Sequence, residues 1–353
     1  MLKKAIPYIL AALLLLVGGA IYLQVAKSDQ PLLSAALNFG KGDGKSEEQP
    51  KPEEAEFKNY GPAPEFAGIS KWLNTDKNAP LKMADLKGKV TLINFWTYSD
   101  INSVRTLPYV TKWEQTYKDQ GLAIVGVHTP EFAFEKVTGN LENAIKTHDI
   151  HYPVAQDNDY KTWTAYHNQF WPSVYLIDRD GNIVYTHFGE SNYDVTEKAI
   201  RTLLGLEGAY TTPPPAEQNQ ANSPEIFFGL AKLKNFGNTE TANTEEQIFV
   251  LPKKLGDNKF ALEGRWQFNQ EAAVHTTGFG KIKLNFNAAK VFLVAESAQA
   301  TTIRVYVDGE LIKGVVVKDS NLYQLYDSIS GGPHTMEIEV PDGGFKAFTF
   351  TFG

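Results

Sequence analysis

The run Thr211-Thr212-Pro213-Pro214-Pro215-Ala216-Glu217-Gln218-Asn219-Gln220 divides the chain into two stretches whose apolar residues repeat with different periods. Upstream, short apolar runs at Lys89–Phe95 and Gly121–Val127 flank the segment 104–119, in which Leu107, Val110, Trp113 and Tyr117 recur every three or four residues. That order reads strand, helix, strand. A helix over 141–148, a hairpin around Asp180-Gly181 between 173–178 and 182–188, and a closing helix over 195–204 complete a mixed α/β unit with a central sheet covered on both faces. Downstream, 258–353 alternates apolar and polar residues with turn signals such as Asp308-Gly309 and Asp342-Gly343-Gly344, the pattern of an all-β sandwich or jelly roll.

Lys3 and Lys4 precede an uncharged, mainly apolar run from Ala5 to Leu23. Its length suits a single transmembrane helix with a cytoplasmic amino end, and Gly18, Gly19 and Ala20 leave a cleavable signal peptide as the alternative. Both readings place the rest of the chain outside the cytoplasm, in the periplasm or at the cell surface. Residues 40–56 are rich in Gly, Pro, Lys and Glu without an apolar period, the composition of a spacer. The expected organisation is an anchor or signal peptide over 1–27, a flexible linker over 28–60, the α/β domain over 61–210, a proline-rich linker over 211–223 and the β-domain over 224–353. A formal net charge of −7 without basic runs argues against nucleic acid as a partner.

The string Phe95-Trp96-Thr97-Tyr98-Ser99-Asp100-Ile101-Asn102-Ser103 joins the first strong strand to the first helix. With Gly61-Pro62-Ala63-Pro64-Glu65-Phe66, Arg105-Thr106-Leu107-Pro108-Tyr109, Gly126-Val127-His128-Thr129-Pro130, Tyr152-Pro153-Val154-Ala155 and Trp171-Pro172-Ser173, it resembles the thioredoxin-like, redoxin-type domain of the DipZ and TlpA thiol–disulfide oxidoreductases over residues 61–205. Residues 224–353 resemble the C-terminal β-sandwich of DipZ proteins, a module similar to carbohydrate-binding folds, with Leu322-Tyr323-Gln324-Leu325 and the closing Phe348–Gly353 as markers. The resemblance implies a thioredoxin fold followed by a jelly-roll domain. It also implies that Asp100 and Ser103 stand where the family carries its two cysteines, and that Pro172 is the cis-proline presenting a backbone edge to a substrate peptide.

The whole chain contains no cysteine. Thiol–disulfide exchange proceeds by attack of a thiolate on a disulfide sulfur, so the family's own chemistry has no nucleophile here. Asp100 is expected to cap the amino end of the helix, a role for which Asp is favoured and which typically contributes ~1 kcal/mol relative to Ala. Ser103 is expected to be solvated or to hydrogen-bond within the first turn. Trp96, Tyr98, Trp171 and Pro172, with Phe170, are candidates to line a peptide-binding groove, the aromatic ones otherwise being core. His128 with Glu131, and Asp157 with Asp159, lack the spacing of a metal site, and His148, His151 and His167 lack a zinc pattern, so no metal and no cofactor is expected. In the β-domain, Trp266, Tyr306, Tyr323 and Tyr326 are the aromatics able to stack on a sugar, with Trp266 alternating as a core residue does.

The expected function is that of a redox-inactive, tethered thioredoxin-like binding or adaptor protein, not an enzyme, whose partner is a cell-envelope protein or peptide. Two alternatives stay open: a component of a thiol–disulfide exchange system with altered cysteine positions, and an envelope protein that binds carbohydrate through its C-terminal domain.

Overall fold

The structure is a computed structural model that describes residues 57–207 and 221–353. The expected anchor lies outside the described residues, and among these no helix is long and apolar enough to cross a membrane.

The α/β domain is built on six strands, β1 (Lys71–Leu73), β2 (Val90–Trp96), β3 (Leu122–His128), β4 (Val154–Gln156), β5 (Ser173–Ile177) and β6 (Ile183–Phe188), in the order β1-β4-β3-β2-β5-β6. Strands β2, β3 and β4 run parallel, while β5 and β6 return antiparallel as the expected hairpin. β2 is buried along its whole length because helices cover both faces of the sheet, the situation that favours near-continuous apolar strands. On one face pack α1 (Ile101–Tyr117), α2 (Thr138–Thr147) and, after the short α3 (Lys161–Ala165), α4 (Tyr193–Leu204). The stripe Leu107, Val110, Trp113 and Tyr117 of α1 is fully buried there, as its spacing predicted. On the other face, Trp163 of α3 and the adjoining Tyr166 pack against Phe95.

Order begins before the expected start of the domain. Lys58 and Tyr60 donate backbone hydrogen bonds to Val184 and Ile183 of β6, so the last residues of the expected linker belong to the sheet edge. At the other break, Asn222 and Ser223 both donate to the carbonyl of Asn287 and so belong to the β-domain.

The second domain holds ten strands: β7 (Ile226–Phe227), β8 (Gln247–Phe249), β9 (Phe260–Phe268), β10 (Ala273–Asn287), β11 (Lys290–Ser297), β12 (Thr301–Val307), β13 (Glu310–Val317), β14 (Asn321–Asp327), β15 (Pro333–Val340) and β16 (Phe345–Phe352). The all-β expectation holds, but two separate sheets do not form. Hydrogen bonds run continuously along β13-β12-β15-β10-β16-β11-β14, giving one bent, nearly barrel-like sheet. The long strand β10 makes this possible. Its first residues pair with β16 and its last eight with β15, and the ladder to β9 is interrupted between Thr277 and Lys281. Gly278 lies there at φ 73, and such an irregularity bends a strand sharply enough for one strand to serve both walls. The walls enclose one aromatic core that includes Phe228, Phe260, Trp266, Phe268 and Phe350.

Candidate functional site

The residues between β2 and α1 form the turn at which Asp100 and Ser103 were expected to stand in place of a cysteine pair. Asp100 is extended (φ −87°, ψ 120°) and its carboxylate accepts from the backbone N–H groups of Asn102, at 3.1 Å, and Ser103, at 2.8 Å. This is the expected N-cap. Burial pushes the Asp100 carboxyl up to about 6, outweighing the hydrogen bonds from Ser103 and Asn102 that favour the anion. Of the two expectations for Ser103 solvation fails, since it is completely buried with its hydroxyl facing the Thr97 N–H at 3.4 Å, while its side chain hydrogen-bonds Asp100 within the first turn.

Beneath the turn lies a group that local sequence patterns did not single out. Glu135, in the loop after β3, is fully buried and accepts from the hydroxyls of Thr97 and Ser99, the latter at 2.6 Å, and from the N–H groups of Glu131 and Phe132. Burial, chiefly, pushes its carboxyl up to about 7. The usable signal is the pair Thr97 and Ser99, polar residues at the end of an apolar strand that need a buried acceptor. His128 lies 3.3 Å from the Thr97 hydroxyl and stacks on Tyr98, with centroids 5.5 Å apart and planes at 16°. Burial lowers the His128 pKa to about 3, which keeps the imidazole neutral.

His128 and Glu131 do not share a metal, since Glu131 instead pairs with Lys232 at 2.8 Å. Asp157 caps α3 through the N–H groups of Thr162 and Trp163, and Asp159 lies 3.9 Å from Lys161. No cluster among the described residues could hold a metal ion.

The four groove candidates separate into two pairs. Trp96 is fully buried and Tyr98 is 4% exposed, so both serve the core rather than an open groove. The reason is geometric: β2 is a central strand, and its end is roofed by α1 and the loop after β3. Of the second pair, Trp171 is partly buried and Pro172 is buried. Their peptide bond is cis, Trp171 stacks on Trp163 at 4.3 Å, and its indole N–H donates to the Thr129 carbonyl at 3.1 Å. Beside them Phe170 and Phe188 form an exposed pair, 53% and 47% accessible with centroids 5.8 Å apart.

The β-domain leans over the turn. Phe132 and Phe134 meet Phe348 of β16 edge-on at 5.4 and 4.8 Å, in a small apolar cluster completed by Ala272 and Val294. Around it, Lys232 bridges to Glu131 and the Ala133 N–H donates to Glu271 at 3.1 Å. The end of β16 also reaches α1, where a Cβ added at Gly353 would lie 2.6 Å from the Arg105 guanidinium. Arg105 is itself held by a bidentate pair with Glu190 at 2.7 and 2.8 Å. The cysteine-free turn thus has a cap, two buried neutralised groups and a domain packed alongside it, with no nucleophile for sulfur chemistry.

Of the β-domain aromatics, Trp266 is buried in the core with its N–H on the Glu263 carbonyl. Tyr306 bonds Glu339, Tyr323 bonds the Asp319 carbonyl, and Tyr326 stands beside His334, so the four build no shared stacking platform.

Comparison with known proteins agrees with this anatomy. Residues 58–204 match the family model described as Redoxin, and residues 223–353 match the one described as thioredoxin like C-terminal domain. The chain is 39% identical over 307 residues to Protein DipZ of Mycobacterium tuberculosis, covering 85% of this chain and 44% of that protein. It therefore spans less than half the length of that relative. It is 37% identical over 269 residues to NHL repeat-containing protein 2 of Bos taurus, covering 71% of this chain and 36% of the relative. Thiol-disulfide oxidoreductase YkuV of Bacillus subtilis matches 40% of this chain and 94% of its own length at 29% identity. Among solved structures, a thiol:disulfide interchange protein DsbE from Chlorobium tepidum aligns with 43% of this chain and 99% of its own at 24% identity, with a TM-score of 0.36. The chain therefore joins a segment that matches the redoxin model to one that matches the thioredoxin like C-terminal domain model, and its sequence holds no cysteine.

Proposed function

We propose that this protein is a redox-inactive member of its thiol–disulfide oxidoreductase family, tethered outside the cytoplasmic membrane by its N-terminal segment, that binds an envelope protein or peptide as an adaptor. The observation that carries this reading is a cysteine-free chain that keeps the framework: Asp100 caps the helix at the turn where the resemblance puts the first cysteine. The partner surface in this reading is formed by the exposed Phe170 and Phe188 with the partly buried Trp171 beside them. An exposed aromatic pair beside a rigid turn suits an extended peptide carrying an apolar residue. The test is capture of envelope proteins by the full chain compared with the Phe170→Asp, Phe188→Asp double variant. A partner held by the parent and lost by the variant supports the reading, and equal capture by both removes this surface from it.

A second reading gives the β-domain a carbohydrate ligand. It is favoured by a cleft of about 320 Å³ in that domain whose wall carries no lysine or arginine.

A further inference from the structure

The cleft lies where the loops before β7 and before β9 meet the end of β10, the Asp308 turn and the start of β15. Its volume of about 320 Å³ is at the small end of the range for ligand sites. The groups in its wall are fixed. The Asp308 backbone is left-handed at φ 52, and its carboxylate accepts from the Thr335 N–H at 2.9 Å and faces His334 Nδ1 at 2.7 Å. Asn285 is spent on the architecture, donating to the Leu255 carbonyl and accepting from the Thr335 hydroxyl. The carbonyl of Asn287 receives the N–H groups of Asn222 and Ser223, which ties the domain's first residues to the rim.

What remains free decides the ligand. His334 faces Asp308 through Nδ1, and its Nε2 lies 3.5 Å from the Tyr326 hydroxyl. Asp308 retains further lone pairs, and the Asp257 carboxylate makes no hydrogen bond or ion pair among the described residues. Asn222 donates its amide to the Asn287 side-chain oxygen at 3.4 Å, which leaves the Asn222 oxygen as an acceptor and the Asn287 NH₂ as a donor. The wall is therefore rich in acceptors, supplies an amide donor, has no lysine or arginine, and turns its one imidazole to Asp308. A phosphate or carboxylate ligand would meet the Asp257 and Asp308 carboxylates there with no lysine or arginine beside them. An ammonium would leave the Asn287 donor facing a cation, whereas a hydroxyl both donates and accepts. Phe286 and Pro333 add an apolar surface for C–H groups.

We infer that this cleft, between Asp257, Asn287, Asp308 and His334, binds a neutral polyhydroxylated ligand of monosaccharide size. The inference rests on the carbohydrate reading of the β-domain and assigns that reading a place.

The test is saturation-transfer NMR and calorimetry of the full chain with glucose, galactose and N-acetylglucosamine, and with putrescine and inorganic phosphate as charged probes. The expected result is binding of at least one sugar and of neither charged probe, with affinity at least tenfold weaker in His334→Ala and in Asp257→Ala. Asp257 is exposed, so its variant reports on binding even where His334→Ala fails to fold. Sugar binding unchanged in both folded variants overturns the site while the carbohydrate reading stands. Binding of putrescine or phosphate in place of sugar overturns the ligand class, and absence of sugar binding overturns site and reading together.

Discussion

Asp100→Asn should gain stability relative to the parent as the pH rises from 4 to 8. Asn is a favoured N-cap like Asp, and its single side-chain oxygen can keep the shorter bond, from Ser103 at 2.8 Å, while the Asn102 N–H, which bonds the other carboxylate oxygen at 3.1 Å, loses its partner at every pH. What the substitution removes is a charge in a place that disfavours one. Burial raises the Asp100 carboxyl from 3.8 to about 6, and at 1.36 kcal/mol per pKa unit the difference of about 2.2 corresponds to about 3 kcal/mol. The sign follows from proton linkage. Between pH 3.8 and about 6 the folded state binds more protons than the unfolded state, so stability falls as pH rises through that window and stays lower above it. Asn resembles the protonated acid at every pH. Allowing for solvent screening at a half-buried side chain, the expected gain of the variant over the parent between pH 4 and pH 8 is about 1–3 kcal/mol, the lost bond from Asn102 being common to both pH values. Glu135 is present in both proteins and cancels in the comparison. Thermal midpoints of parent and variant at pH 4 and pH 8 measure the difference, each kcal/mol moving the midpoint by about 2–4 °C in domains of this size. A variant that lost stability relative to the parent between pH 4 and pH 8 would refute the reasoning, because it would mean that charge at the helix terminus outweighs burial.

Phe348→Ala should loosen the contact between the domains, since the ring is 5% exposed and packs on Phe132 and Phe134. The expected cost is about 3–5 kcal/mol, read as a fall in thermal midpoint, and a change below 1 kcal/mol would show that the interface contributes little. Asp100→Cys, Ser103→Cys restores the dithiol, and an intact framework predicts renewed insulin reduction from sequence alone. With the β-domain beside the turn, the expectation becomes a dithiol that glutathione disulfide oxidises but that reduces insulin no faster than the cysteine-free parent. The thiol introduced by Asp100→Cys should ionise at or above the ordinary thiol value of about 8.5. Thiolate absorbance against pH checks this, and a value below 7 would contradict it.

The cap and the apolar stripe of α1 were legible because both are local: an N-cap acts over three residues and a helical face over four. Residue 100 could be read without knowing what surrounds it. Glu135 could not, because its role depends on the loop after β3 folding beneath residues 97–99, a contact that spans more than thirty residues and leaves no period in the sequence. The burial of Ser103 was missed for a related reason, since which face of the first turn points inward is set by the packing of α1 on the sheet. The strand β1, three residues long, is too short to show alternation. In the β-domain, alternation identified strands and the burial of Trp266. It could not show that one sheet bends where two were expected, because the bend is made by the break in pairing around Gly278.

The electrostatics of the turn bear on why sulfur chemistry and this packing are poorly matched. A reactive cysteine needs surroundings that favour an anion: free N–H groups, nearby positive charge and access for a disulfide. Here the helix terminus still offers N–H groups at residue 100, but three buried ionisable groups at the turn are pushed towards their neutral forms, Asp100 and Glu135 upwards to about 6 and 7 and His128 downwards to about 3. The common cause is burial, to which Glu131 adds like-charge repulsion at both acids. A thiol at residue 100 would meet the same burial and the same neighbouring carboxylate, so its pKa would be raised where catalysis requires it lowered. An aspartate at that position keeps the cap whether or not it is ionised. The residue at the expected cysteine position thus satisfies the helix under conditions in which a cysteine itself would be a poor nucleophile, and it follows that introducing the two thiols without changing the carboxylates beneath them is insufficient for exchange.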